Sequence, residues 1–309
     1  MESSTIAVSA ADGTPLHTYR WLPDGPPRAI VQISHGMAEH AGRYERFARA
    51  LTAQGYAVYA NDHRGHGLTG SASDRGHFAD HDGWDTVVHD LGTVTEFAQT
   101  EHPGVPVVLF GHSMGAILAR SYAAIHGSRL AALILSANSG ANPLAPVGVA
   151  LSALQSRLRG RRHPSGLMDS LSFGKFNAAF KPNRTASDWL SRDEAEVDAY
   201  LADPHCGFVM STTFYGDLAA GLRSVLRKSA YAAVPTDLPI LLMSGEHDPV
   251  GNGGRGPREV EAGYREAGVT DLTSRIYPGA RHELLNETNR DEVTADVLAW
   301  LDERLPTRD

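Results

Sequence analysis

Short apolar runs alternate with longer stretches of helical periodicity along most of the chain. Runs typical of buried strands occupy residues 29–33, 56–60, 106–112 and 130–136, and stretches with apolar side chains at helical spacing occupy 41–54, 84–100 and 114–126. Strands and helices that alternate at such short spacing form parallel sheets, because a helix must cross over between successive strands. The pattern therefore predicts a mainly parallel sheet covered by helices on both faces.

Both ends of the chain extend this sheet. Residues 5–10 and 16–21 alternate between apolar and polar side chains on either side of Asp12 and Gly13, a dipeptide that favours tight hairpin turns. After residue 238 the alternation resumes, with strands at 239–244 and 272–277 and helices at 257–267 and 289–304. The predicted fold is therefore of the α/β class, with an eight-stranded, mainly parallel sheet that begins with an antiparallel hairpin.

The alternation is interrupted between residues 140 and 237, where no buried strand is evident. Helical periodicity recurs there at 147–158, 189–201 and 208–226, separated by the polar segments 159–170 and 181–187. Five of the nine phenylalanines fall in this interval: Phe173, Phe176, Phe180, Phe208 and Phe214. We therefore predict a core of residues 1–139 and 238–309 and a helical cap of residues 140–237. Some of the apolar surface of this cap is expected to line a pocket, and the alternative is that its apolar side chains only pack its own helices.

Composition narrows the class of protein. Hydrophobic residues make up 42% of the 309 residues, and the formal charge of −8 disfavours nucleic acid as the main partner. The N-terminus has no basic segment followed by a long apolar one, and no later window resembles a membrane span. The single cysteine, Cys206, excludes an intramolecular disulfide and is typical of a reducing compartment. We therefore expect a globular, cytoplasmic protein.

A serine bracketed by two glycines lies where the strand 106–112 gives way to the helix 114–126. Gly111 and Gly115 flank Ser113 with one residue between on each side. A nucleophile elbow needs this spacing, because its serine is held in a strained turn with the neighbouring backbone crowded against it. The alternative interpretation is an ordinary serine in a turn, so the motif alone does not decide between them.

An aspartate and a histidine follow later strands in the order that such a serine requires. Asp248 lies in the loop after strand 239–244, and His282 lies in the loop after strand 272–277. Loops at the carboxyl ends of parallel strands meet at one edge of the sheet, and a serine nucleophile needs a histidine base that is oriented by a carboxylate. Each residue alone could be a plain turn or surface residue, but together with Ser113 they predict a catalytic triad.

The reaction of such a triad also needs donors for the oxyanion. One is expected to be the backbone N–H of Met114, which follows the serine, and the other an N–H from the loop after the third strand. In that loop we assign the second donor to Met37, the residue after Gly36.

Taken together, the motifs resemble the monoacylglycerol lipase and lysophospholipase-like group of α/β-hydrolases, which includes serine aminopeptidases of the S33 type. The matching motifs are 34–40 (SHGMAEH), 62–67 (DHRGHG), 111–115 (GHSMG), 244–250 (SGEHDPV) and 277–283 (YPGARHE), with two further similar stretches at 188–193 and 203–208. The resemblance runs from about residue 12 to residue 300. It implies a serine ester hydrolase that acts through an acyl-enzyme on a small acyl ester, with a lid over an acyl pocket and neither metal nor organic cofactor.

The substrate stays open between several classes. We expect monoacylglycerol-like or medium-chain acyl esters, and a short-chain carboxylesterase or a lysophospholipase is the alternative. A peptidase would need an acidic anchor for the substrate ammonium group, for which Glu39 is the candidate. A receptor of the same fold that binds a small ligand without turnover is the alternative outside enzymes.

Other features suggest rival sites. His63, His66, His77 and His81 have spacings that could serve a zinc ion, but no carboxylate or cysteine pattern completes the site. The glycine-rich segment 251–256 lacks the lysine and hydroxyl residue of a phosphate-binding P-loop. The arginines of segment 157–162 form either a solvated loop or a contact for anionic head groups, which would be a peripheral contact of the cap with lipid surfaces.

Overall fold

An eight-stranded sheet forms the centre of the protein in a computed structural model that describes residues 1–305. The strands are β1 (Glu2–Ser9), β2 (Pro15–Leu22), β3 (Ala29–Ser34), β4 (Tyr56–Asn61), β5 (Val107–His112), β6 (Ala132–Ser136), β7 (Ile240–Gly245) and β8 (Leu272–Tyr277). They are ordered β1-β2-β4-β3-β5-β6-β7-β8, and only the β1–β2 and β2–β4 pairs are antiparallel. The predicted mainly parallel eight-stranded sheet is confirmed.

Helices cover the sheet and fill the interval between β6 and β7. The α-helices are α1 (Glu45–Ala53), α2 (Gly83–Glu101), α3 (Met114–His126), α4 (Ala145–Arg159), α5 (Gly166–Phe173), α6 (Glu194–Ala202), α7 (Thr212–Val225), α8 (Lys228–Ala232), α9 (Arg255–Glu266) and α10 (Arg290–Asp302). Short 3-10 helices span Ala41–Tyr44, Ala72–Asp74, Gly127–Arg129, Phe176–Phe180 and Leu284–Asn286. Within residues 1–305, no helix has both the length and the apolar content to cross a membrane.

The alternation of side chains along each strand divides the interior into two clusters, one on each face of the sheet. Along β5, Leu109 belongs to the cluster that includes side chains of α2, α3, α7 and α9. Its neighbours Val108 and Phe110 belong to the cluster formed with α1 and α10. Strands such as β5 are buried along their whole length because both faces are covered. The sheet is therefore a rigid layer from whose carboxyl edge the functional loops emerge.

Helix α7, from the interval between β6 and β7, shares the first of these clusters. Its Phe214 is fully buried and packs against Phe78 of the core, with 4.6 Å between ring centres. The Trp84 indole of α2 contacts the position of Gly221, where a Cβ atom would lie 2.2 Å from the ring. This part of the interval is therefore packed on the sheet domain as tightly as an ordinary core helix.

Three helix boundaries in this interval differ from the prediction, one of them being that of the helix predicted from residue 208, which begins at Thr212. The segment 159–170 is predicted to be a polar link, but α5 begins inside it because the Ser165 side chain caps the helix by accepting a hydrogen bond from the Met168 amide at 3.2 Å. The helix predicted from residue 189 begins only at Glu194, where Asp193 is the capping residue and accepts from the Ala195 amide at 3.0 Å. The apolar side chains just before residue 194 make tertiary contacts and do not continue the helix.

The turn from β5 into α3 depends on close approach of backbone segments. A Cβ atom at Gly115 would lie 2.0 Å from the carbonyl oxygen of Ser34 at the end of β3, and one at Gly111 would lie 2.4 Å from the Gly115 carbonyl oxygen. Neither neighbour is a flexible side chain that could move aside. The two glycines of the predicted elbow are therefore required by packing.

We expect Gly115→Ala to lower the free energy of unfolding by about 2 kcal/mol, because the added methyl group must push two backbone segments apart. The matched control is Gly92→Ala in α2, where a Cβ atom would make an ordinary 3.8 Å contact with Tyr122. The control should be neutral or stabilising by about 1 kcal/mol, since alanine is the better helix former. Urea unfolding of both variants measures the difference, and equal stability of the two would contradict the packing argument.

Candidate active site

Ser113 occupies the sharp turn between β5 and α3. Its backbone has φ 54° and ψ −116°, a conformation that residues with side chains rarely adopt. The Ser113 amide donates a hydrogen bond of 2.9 Å to the Ser136 carbonyl at the end of β6, which anchors the strained residue to the sheet. The serine is thus held in the conformation typical of a nucleophile elbow.

The loops after β7 and β8 bring Asp248 and His282 together. The Nδ1 atom of His282 lies 2.9 Å from Oδ1 of Asp248, and both side chains are almost completely buried. The same Asp248 oxygen accepts a hydrogen bond of 2.9 Å from the Val250 amide, which fixes the carboxylate in its loop. The ring of His112, directly before Ser113, lies 4.9 Å from the His282 ring. All three predicted residues therefore lie at the carboxyl edge of the sheet, with the aspartate and histidine in direct contact.

The surroundings of His282 favour its protonated form. Burial is the largest single influence on the pKa of His282 and lowers it, whereas the Asp248 carboxylate raises this pKa through its charge and its hydrogen bond. Glu283 and Glu39 act in the same direction as Asp248, so the pKa of His282 lies above its ordinary value. The site is therefore arranged to stabilise an imidazolium once the ring has accepted a proton.

The loop after β3 lies directly against Ser113. A Cβ atom at Gly36 would be 3.5 Å from the Ser113 Cβ, and the next residue but one, Ala38, has a φ of 55°. Among acceptors in residues 1–305, none bonds to the amide of Met37 or to that of Met114. The two amides assigned as oxyanion donors are thus free of protein acceptors next to the serine.

A buried ionic cluster holds this loop in place. The Glu39 carboxylate accepts hydrogen bonds from the Gly36 amide at 2.5 Å and from the Tyr44 hydroxyl at 2.8 Å. Its other oxygen accepts from the Arg43 guanidinium at 2.6 Å, and the same guanidinium donates two hydrogen bonds, of 2.8 and 2.7 Å, to Glu283. Because Glu283 directly follows the histidine of the buried pair, Arg43 joins the loop after β3 to the loop after β8.

Residues from the interval between β6 and β7 complete the site. The Trp189 ring lies 5.0 Å from the His282 ring, and the Leu190 carbonyl accepts a hydrogen bond of 2.8 Å from the Glu283 amide. On the other side, the Tyr200 hydroxyl and the Gly207 amide both donate to the Ala38 carbonyl, at 3.1 and 2.9 Å. The hydrophobic pattern did not predict that these residues contribute to the site. The only signal for this region in the sequence was the family resemblance of the stretches 188–193 and 203–208.

The histidines considered for zinc are engaged separately. His63 Nε2 lies 3.0 Å from the Ser34 hydroxyl, and His66 Nδ1 lies 3.0 Å from the Arg64 carbonyl oxygen. His77 Nε2 lies 3.0 Å from Asp80. Burial lowers the pKa of His66 to about 4, so this ring is neutral and part of the interior. His63 and His66 therefore fit a structural turn beside the loop after β3, where both rings lie against His35.

Comparison with known proteins shows the family to which the chain belongs. The family model described as serine aminopeptidase, S33, matches residues 25–289. The monoacylglycerol lipase of Mycolicibacterium smegmatis is 31% identical, covering 91% of this chain and 90% of that protein, and the human monoglyceride lipase is 31% identical, covering 96% and 90%. The chain belongs to the serine aminopeptidase S33 family of hydrolases.

Solved structures agree with this assignment. A thermostable carboxyl esterase from Bacillus coagulans, solved in complex with glycerol, superposes with a TM-score of 0.92 at 28% identity, covering 98% of this chain and 99% of that one. The predicted resemblance to the monoacylglycerol lipase-like group of α/β-hydrolases is therefore confirmed, as is the prediction of a carboxylic ester hydrolase.

Replacing Glu283 by Gln should lower the pKa of His282, because a carboxylate that favours the imidazolium is removed. Proton NMR titration of the imidazole, assigned with a His282→Gln variant, measures the change. The control is Glu266→Gln, which removes an exposed carboxylate on α9 and should leave the titration unchanged. An unaltered His282 titration in Glu283→Gln would contradict this interpretation of the cluster.

Proposed function

We propose that this protein is a serine esterase that hydrolyses monoacylglycerol-like or medium-chain acyl esters through an acyl-enzyme, with Ser113, Asp248 and His282 as its catalytic triad. The observation that carries the proposal is the buried 2.9 Å contact between Asp248 and His282, at the same sheet edge as the strained Ser113. The activities named for the similar lipases and esterase agree with this chemistry.

The reaction follows from the properties of these groups. His282 takes the proton of the Ser113 hydroxyl as the oxygen attacks the ester carbonyl, and then gives this proton to the alcohol as the carbon–oxygen bond of the ester breaks. A water molecule, deprotonated by His282, attacks the acyl-enzyme and releases the carboxylic acid and the free serine. Asp248 holds the imidazole in the required tautomer and stabilises its positive charge.

The backbone amides of Met37 and Met114 are the proposed donors to the oxyanion. Both lie beside Ser113 without a protein acceptor in the described chain, so no hydrogen bond has to be broken when negative charge develops on the carbonyl oxygen. The bond from the Gly36 amide to Glu39 supports this role, because it fixes the peptide directly before Met37.

The hydrogen bonds of Glu39 argue against a peptidase, which is one of the alternative functions. A peptidase that recognises a substrate ammonium group would need a free carboxylate, whereas Glu39 already accepts from Gly36, Tyr44 and Arg43. A short-chain carboxylesterase or a lysophospholipase uses the same triad and differs in the acyl and alcohol groups it accepts. A non-catalytic receptor of this fold would bind an ester without turnover.

The Ser113→Ala variant should remain folded and lose about a million-fold in the rate of ester hydrolysis, because no other group supplies the nucleophile. Asp248→Asn should lose about ten-thousand-fold through the wrong tautomer of His282. Single-turnover kinetics with p-nitrophenyl esters measures both losses, and labelling by a fluorophosphonate should disappear in Ser113→Ala. Retention of a tenth of the activity in Ser113→Ala, or absence of labelling in the unmodified protein, would refute the triad.

We assign residues 140–237 as a cap over the site and residues 1–139 and 238–309 as the hydrolase core, of which residues 306–309 lie outside the described residues. Of the five cap phenylalanines, Phe173 and Phe176 support the acyl pocket, because their rings lie 6.1 and 5.0 Å from Trp189, which in turn faces His282. Phe214 packs in the core, and the Phe180 ring lies 4.3 Å from the Arg281 guanidinium. The proposed pocket therefore includes only some of the phenylalanines of the cap, among them Phe173 and Phe176.

Esters of medium-chain acids should be better substrates than acetate esters. Each methylene that enters the pocket contributes about 0.8 kcal/mol, or about fourfold in kcat/KM, until the pocket is full. Measuring kcat/KM for p-nitrophenyl esters across acyl lengths tests this, and Trp189→Leu should reduce the gain per methylene. Phe97→Leu, an aromatic replacement on α2 beside Tyr59, is the control. A monotonic fall from acetate onward would leave a short-chain esterase.

We further propose that α4 and α5 contact a lipid surface. The two helices and the residue before α4 carry six apolar side chains, each at least half exposed: Leu144, Val147, Leu154, Leu158, Leu167 and Leu171. Leu144, Val147, Leu154 and Leu158 recur at helical spacing along α4 and the residue before it, so they form one stripe. Arg157 and Arg159 lie at the end of the same helix, where they suit anionic head groups.

The arginines of segment 157–162 had two interpretations, a solvated loop and a contact for anionic head groups. The proposed contact corresponds to the second interpretation. Exposed apolar stripes beside cations are typical of surfaces that meet lipid. A location in the cytoplasm is part of the same proposal, supported by the single cysteine of the chain.

Replacing Leu154 and Leu158 together by Glu should weaken binding to vesicles that contain phosphatidylglycerol, because two apolar anchors become anions. Vesicle co-sedimentation measures the loss. Ile125→Glu, a change at an exposed apolar position on α3 outside the cap, is the matched control. Equal binding of the unmodified protein, the double variant and the control would refute the contact, and hydrolysis of a water-soluble ester should be unchanged in each.

A further inference from the structure

Three metal-ligating side chains meet where the cap interval joins the loop after β3. His40, at the end of that loop, has Nε2 2.9 Å from Oδ2 of Asp203, and Cys206 lies beside them. One ligand atom from each residue lies within 4.8 Å of the other two. Within residues 1–305, this is the only group of three such residues with that spacing.

The types of donor are those of a zinc site. Imidazole nitrogen, carboxylate oxygen and thiolate sulfur all bind Zn²⁺ at distances of about 2.0 to 2.3 Å, and a thiolate favours zinc over magnesium or calcium. Atoms as close as those of His40, Asp203 and Cys206 need only small side-chain rotations to surround one ion. The donors come from two separate segments of the chain, as a cross-linking site requires.

A fourth nitrogen is available next to the group. The His205 ring centre lies 5.9 Å from that of His40, and its Nδ1 atom is buried without a hydrogen-bond partner in the described chain. Such unpaired buried nitrogens are uncommon, because leaving one unsatisfied costs free energy. His205 or a water molecule could therefore complete a tetrahedral set.

We infer that His40, Asp203 and Cys206 form a binding site for a Zn²⁺ ion, with His205 or water as the fourth ligand. The zinc–sulfur bond forms as the Cys206 S–H bond breaks, and the proton passes to solvent; no electron is transferred. The ion has no part in ester hydrolysis. It connects the loop that carries Met37 to the cap loop around residue 206.

Cobalt titration tests the site directly, because Co²⁺ substitutes for zinc and absorbs light when a thiolate is bound to it. Cys206 is the only cysteine of the chain, so any cobalt–thiolate absorption must come from this position. We expect one Co²⁺ per chain with this absorption, and displacement of the cobalt by one equivalent of Zn²⁺.

Single-residue variants distinguish a site formed by all three side chains from binding of the metal by the Cys206 thiol alone. His40→Gln and Asp203→Asn each keep the thiol, and each should abolish the absorption at the cobalt concentration that saturates the unmodified protein. His247→Gln, which changes an exposed histidine outside the group, should retain it. Absence of the absorption in the unmodified protein, or its persistence in both His40→Gln and Asp203→Asn, would overturn the proposal.

Thermal unfolding supplies a second readout that does not depend on cobalt spectra. Zn²⁺ should raise the Tm of the unmodified protein and of His247→Gln, because a ligand that binds only the folded state stabilises it. Zn²⁺ should not raise the Tm of Cys206→Ser above the Tm that the same variant has without metal. The Tm of each metal-free variant reports whether the substitution itself damages the fold, and an equal zinc effect in Cys206→Ser would contradict the site.

Discussion

The arrangement of the candidate site depends on the Arg43 guanidinium between two buried carboxylates. It contacts Glu39 in the loop after β3 and Glu283 in the loop after β8, the second of which lies 240 positions later in the chain. Removing one partner of a buried ion pair costs about 3–5 kcal/mol, because the remaining charge is left uncompensated. This penalty opposes movement of the two loops relative to each other, which is what the proposed oxyanion hole and the proposed histidine base require.

The sheet supplies the rest of the geometry. Strands β3, β5, β7 and β8 run parallel, so the loops that follow them emerge on one edge, and the fully buried β5 and β7 keep that edge rigid. The strained backbone of Ser113 persists because its amide is bonded to Ser136 and its flanking glycines admit the neighbouring backbone. Packing of the interior therefore offsets the cost of holding a serine in an unfavourable conformation.

Much of this could be predicted from the sequence because the information is local. The β-branched runs predicted the strands, and Gly111 and Gly115 marked the elbow. Arg43 and Trp189 could not be found in this way, since their partners Glu283 and His282 are distant in the chain and nothing in periodicity pairs them. The late start of α6 has the same origin: residues 189 and 190 have the apolar character of helix positions, but the loop after β8 uses them for tertiary contacts. Roles assigned to the site residues stay predictions.

The Ala38 carbonyl accepts hydrogen bonds from both Tyr200 and Gly207, so the proposed cap and the loop beside Ser113 share an acceptor. Replacing the proposed cap by that of a relative would be one way to change the range of substrates. The shared Ala38 carbonyl limits which caps can be exchanged. A foreign cap that lacks the hydroxyl or alters the turn at residue 207 would leave the carbonyl unpaired and release the strained Ala38 backbone. The segments 36–40 and 200–207 therefore depend on each other, and a functional chimera has to take both segments from the same parent protein.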